Sequence, residues 1–162
     1  MNPVVVLIVG IVVGVALTLG LGVAIMRSRM VASHCGARTF EDTCSTVEKV
    51  VEDAKGWSLP LGSWDAHAVL EKKGLVPDNL TRLKFYFLCN AGHASRLLGA
   101  VPSLSGMLPC SWAVYELADG TVHVSGMNVG LMSRIFSGVP GQVMQEVARA
   151  DEAFLAEVLG NP

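Results

Sequence analysis

The chain has 162 residues, 51% of them hydrophobic and only 16% charged, with 12 Lys and Arg against 14 Asp and Glu for a net charge of −2. No basic run or patch stands out, which argues against nucleic acid as a partner. No His-Glu-x-x-His, Gly-Lys-Ser/Thr phosphate loop, Rossmann fingerprint or Gly-x-Ser-x-Gly elbow occurs, so no familiar catalytic constellation is present.

Val4 to Met26 pass 23 positions without a charge. At about 1.5 Å per residue this predicts a helix of roughly 34 Å, long enough to cross a bilayer core of about 30 Å. A cleaved secretory signal would show a basic start, a shorter apolar core and a small-x-small exit. Here the start is uncharged and Ala24-Ile25-Met26-Arg27 is a poor cleavage site, so residues 1–29 read as an uncleaved anchor and its flank. Arg27 and Arg29 follow the helix and no Lys or Arg precedes it, which favours a cytoplasmic domain on a single-pass protein of the cell membrane. A periplasmic domain is the alternative. Gly10, Gly14, Thr18 and Gly22 recur every four residues, with Ala16, Gly20 and Ala24 as a second stripe. Small residues at this spacing allow close helix packing in lipid, so the expected partners are lipid and either a second copy or another membrane protein.

Residues 30–162, about 130 in number, make one domain of ordinary size. Met30 to Arg38 is the predicted first strand. Thr39-Phe40-Glu41-Asp42 resembles a capping box, and Phe40, Cys44, Val47, Val51 and Ala54 then fall at helical spacing before Gly56. Trp57 to Leu61 is predicted as a short strand, at an edge because of Pro60. Asp65 to Lys73 follows as a short helix ended by Gly74. Leu83 to Cys89 is the clearest strand, with Leu83, Phe85, Phe87 and Cys89 on one face. A helix from Ala91 to Ala100 stops before Pro102. Met107 to Leu117 and Thr121 to Met127 form a hairpin, and Gly141 to Leu159 a long amphipathic helix with Val143, Val147, Ala150, Phe154 and Val158 on its apolar side. This order predicts a two-layer α+β sandwich, strand-helix-four-strand-helix.

The hairpin has two registers. A two-residue turn mixes polar and apolar side chains on each face. A three-residue turn with a bulge at Gly120 gathers Cys110, Trp112, Val114, Val122 and Val124 on one side, leaving Tyr115, His123, Ser125 and Met127 on the other. The second gives each strand one consistent apolar face and is preferred. It predicts an exposed sheet face centred on Tyr115, His123 and Met127, suited to a dimer or partner contact. Glu116 beside it is a lone carboxylate, weak evidence for a base.

Phe87-Leu88-Cys89-Asn90, Leu108-Pro109-Cys110, Tyr115-Glu116, Gly120 and the Val122 to Met127 strand resemble the domain of unknown function 302 family over about Phe40 to Leu159. The resemblance implies a fold similar to the TATA-box-binding-protein-like class and members that dimerise. It implies no established activity. Ala91 stands where the family commonly has Pro. Cys89 and Cys110 match the family's two recurrent cysteines, and His93 lies one helical turn past Cys89.

Three readings of that trio stay open. Two soft sulfurs and an imidazole suit Zn²⁺, Cu(I) or a haem iron, so the cofactor is undetermined, with metal or haem as the alternative to none. The thiols could instead form a redox pair. Or both are buried small apolar residues, the common fate of free Cys. Cys44 falls on an apolar helix face and Cys35 in the first strand. A periplasmic location would allow Cys35–Cys44 or Cys89–Cys110 bridges. The functional expectation is a membrane-anchored, non-enzymatic binding or accessory domain, with the metal, haem or thiol-redox module as the alternative.

Overall fold

The structure, a computed structural model, describes residues 2–160. It divides into two units, one ending at Met30 and one starting at Val31. The first is helix α1, Pro3–Arg29, opened by the Asn2 side chain accepting from the Val4 N–H and by Pro3 in its first turn. It is long and apolar enough to cross a membrane and buries none of its residues.

The second unit runs β1 (Val31–Cys35), α2 (Phe40–Asp53), β2 (Trp57–Ser58), β3 (Ser63–Asp65), α3 (Ala66–Lys72), β4 (Leu80–Asn90), α4 (Ala91–Ala100), a 3₁₀ turn (Pro102–Met107), β5 (Cys110–Leu117), β6 (Val122–Met127), α5 (Val129–Ile135) and α6 (Gly138–Leu159). The antiparallel strands lie in the order β1-β6-β5-β4-β2, with β3 also on β4. This is the mixed, two-layer α+β sandwich expected. The Thr39 cap accepts from the Asp42 N–H at 3.2 Å, and α2 turns Phe40, Cys44, Val47 and Val51 inward as its spacing requires.

Boundaries differ for local reasons. The strand expected from Trp57 to Leu61 shrinks to Trp57–Ser58, because Pro60 has no N–H for the ladder and the chain turns at Gly62 before β3. The region before Gly138 forms the extra short helix α5, capped by Asn128 accepting from the Leu131 N–H. The hairpin adopts the three-residue turn. Val114 faces Val124, Glu116 faces Val122, and Leu117 and Thr121 close the loop while Gly120 takes φ +82°.

One core lies between α2, α6 and the sheet, built on Val47, Val51, Tyr86, Trp112, Val114, Val124, Phe154 and Val158. A second joins Leu97 of α4 and Val129 of α5 to Val143, Met144 and Val147 at the front of α6. Trp57 touches both, packing edge-on against Phe154 at 5.3 Å and His93 at 5.9 Å. On β4 the core residues are Tyr86 and Leu88, so Leu83, Phe85 and Phe87 occupy the opposite face.

Gly126 is where β6 yields to Trp112. A Cβ there would lie 2.8 Å from the indole Cδ1 and 3.2 Å from the Ser111 carbonyl oxygen. Gly126→Ala is expected to destabilise the domain by about 1–3 kcal/mol through overpacking, read from urea unfolding followed by tryptophan fluorescence.

Candidate functional site

The sheet face turned away from α2 and α6 carries Val31, Ser33 and Cys35 from β1, His123, Ser125 and Met127 from β6, Ala113, Tyr115 and Leu117 from β5, Leu83, Phe85 and Phe87 from β4, and Trp64 from β3. None of these is Asp, Glu, Lys or Arg. Tyr115 lies flat on His123, ring centroids 5.0 Å apart and planes 7° from parallel. Its hydroxyl reaches Ser33 Oγ at 2.8 Å, and His123 Nε2 sits 3.1 Å from Thr121 Oγ1. Trp64 stacks on Phe85 at 5.7 Å and stays half exposed, as does Met127. The sequence-predicted trio Tyr115, His123 and Met127 thus shares one face, with Trp64 and Phe85 as members the sequence reading did not place there. The signal was present in period-two alternation, but β3 was too short to register as a strand.

Cys89, His93 and Cys110 lie near one another at the α4 end of the sheet. Leu88, not Cys89, is the cross-strand partner of Cys110. All four cysteines are free. The His93 backbone N–H donates to Asn90 Oδ1 at 3.1 Å, and its ring turns to α6. Its Nδ1 lies 3.4 Å from Glu146, which also takes a two-pronged contact from Arg96 at 2.7 and 3.0 Å. Among the described residues, no group of three His, Cys, Asp or Glu is placed to hold a metal. Burial, the Asp151 carboxylate and Cys89 together push the Cys110 thiol up to about 11. A thiol so raised is a poor nucleophile at neutral pH. Cys89, His93 and Cys110 all line one apolar cavity of about 30 Å³, shared with Trp57, Leu97, Val143 and Val147 and far below the size of a haem. Cys44 is core, and Cys35 is exposed on β1.

Glu116 pairs with Arg82. Its Oε2 lies 3.1 Å from Arg82 Nε but off the N–H direction, an ionic contact without a hydrogen bond. Arg82 also meets Glu41 and stands 5.2 Å over the Phe40 ring, tying α2 to the sheet. In α1, a Cβ added at Gly10, Gly14 or Gly22 would meet nothing within 4 Å, and Thr18 Oγ1 donates to the Gly14 carbonyl at 2.8 Å.

Asp151 of α6 was not anticipated. It falls on the Val147, Phe154, Val158 side of the helix, an acid interrupting an apolar stripe, which was the available signal. Its Oδ1 accepts from Trp112 Nε1 at 2.8 Å.

A family model described as "Domain of unknown function DUF302" matches residues 33–161. The chain belongs to the DUF302 family. A crystal structure of an uncharacterized conserved DUF302 protein from Bacillus stearothermophilus is similar to this chain at 18% identity with a TM-score of 0.68, covering 80% of this chain and 98% of that one. At that identity the likeness shows the fold alone. No curated protein matches the sequence. Helix α1 lies outside the region matched by the family model.

Within this DUF302 domain Asp151 is the acid most displaced from ordinary behaviour. Burial raises it to about 6, outweighing the Trp112 hydrogen bond and the nearby His34, which both lower it. A folded-state pKa above the unfolded value means that folding takes up a proton between about pH 4 and 6, so this group's contribution is fully present below pH 4 and is lost as pH rises through 6. Asp151→Asn keeps an acceptor for Trp112 and removes that loss. The variant is expected to gain roughly 1–3 kcal/mol over wild type at pH 8 and almost nothing at pH 4, measured as paired urea melts.

Proposed function

We propose that this chain is a single-pass membrane-anchored binding domain, without enzymatic activity of its own, whose open sheet face docks on a second copy of the chain. The observation that carries the reading is the uncharged aromatic face holding Trp64, Phe85, Tyr115, His123 and Met127. Antiparallel sheets with one solvated face ordinarily alternate apolar-in with polar-out, and this one lacks the charged half of that pattern. Twofold contacts set a patch against itself, so any charge there would meet its own image, and this patch has none. Aromatic and methionine side chains are the types enriched where proteins meet, and no Lys or Arg is available on the face for phosphates.

The anchor supports the same reading. As a transmembrane helix, α1 would confine copies to one plane and raise their effective concentration. Its Gly10, Gly14, Thr18 and Gly22 stripe of small residues suits helix packing in lipid. Arg27 and Arg29 at its end favour a cytoplasmic domain at the cell membrane, lipid being the other partner.

Full-length protein in nanodiscs tests the face. Ala113→Arg puts a guanidinium at its centre, and self-association is expected to weaken about 100-fold or more with unchanged circular dichroism. An Ala113→Arg chain that associates as well as its parent would refute face docking. Replacing both Gly10 and Gly14 by Leu is expected to weaken association by roughly 3- to 30-fold, measured by energy transfer between labelled copies.

A further inference from the structure

Where the sheet ends against α5 and α6, two adjoining cavities of about 160 and 200 Å³ share Met127, Val129 and Asp151 in their walls. The first continues past Met107 to Trp112, and the second past His34 of β1 to Glu152. No Lys or Arg lines either. Trp112 holds Asp151 through Oδ1 alone. Oδ2 accepts no hydrogen bond among the described residues, and it is not sealed from solvent. One carboxylate oxygen is therefore fixed in direction by its twin and left open to a mostly apolar cleft.

We propose that this cleft is a binding site for a small primary ammonium ion, whose N–H groups bond to Asp151 Oδ2 and whose apolar body is covered by Met107, Met127 and Val129. A charge-assisted hydrogen bond to a carboxylate in low-dielectric surroundings is stronger than one from a neutral donor, so a cation is preferred over an alcohol. A guanidinium reaches full strength only by engaging both carboxylate oxygens, and Trp112 occupies one of them. A metal ion needs several gathered ligands, and none of the described groups supplies them here. Methionine side chains adapt to irregular guests, which suits walls built from Met107 and Met127. The inference rests on Asp151 and the cleft walls rather than on the docking of the open face, with Met127 at the sheet end common to both.

The test uses full-length protein in nanodiscs at constant ionic strength, with n-butylammonium as probe and the Trp112 indole N–H resonance as readout. A saturable shift is expected, at least roughly tenfold weaker for n-butanol and weaker for n-butylguanidinium. Asp151→Asn, which keeps the acceptor for Trp112, should weaken n-butylammonium about tenfold or more, whereas Glu152→Gln should change it by no more than about threefold. Met127→Trp, which fills the cleft and leaves Asp151 intact, should abolish the shift. An unsaturable response, an equal affinity for n-butanol, or equal losses in the Asp151 and Glu152 variants would overturn the proposal.

Discussion

The pairing of β5 with β6 through the Gly120 turn is the constraint on which the domain rests. With three residues in the loop, Trp112, Val114 and Val122 join Val124 against α2 and α6, and all four are buried. Moving the register by one residue would exchange that set for Tyr115, His123 and Ser125 and expose the valines. Both the core and the bare face follow from one turn. Glycine at position 120 supplies the positive φ that this turn demands.

The same register carries Trp112 to α6. Gly126 gives the indole room, the indole bonds Asp151, and burial raises that acid at the margin of the core. This chain of contacts couples the sheet to the last helix by a directional polar link rather than by packing alone. It also explains why the acid survives there: its desolvation is partly offset by a donor that has no other use when buried.

The charge distribution runs opposite to habit. Arg82, Lys84, Glu116 and Asp151 belong to the helix-covered side or its rim, whereas the uncovered face has no formal charge at all. Solvated faces of antiparallel sheets usually hold the charges.

Periodicity and capping chemistry made much of this architecture readable in advance. The α1 span, the Thr39 cap, the inward stripe of α2, the hairpin register and the long last helix are local patterns, each set by neighbours within a few residues. The resemblance carried by Cys89-Asn90 and Leu108-Pro109-Cys110 gave the family. Residue types near one another in strand-end motifs did not reveal that Cys110 pairs with Leu88 rather than Cys89, because that depends on which partner residue β4 finds on β5. Nor did they show the Asp151–Trp112 bond, formed between residues far apart in the chain, or the stacking of Trp64 on Phe85 through the short strand β3. Local sequence thus determined the elements and their apolar sides. Only long-range strand pairing and helix docking decided which side chains meet, since those contacts are set by register and packing across the sheet.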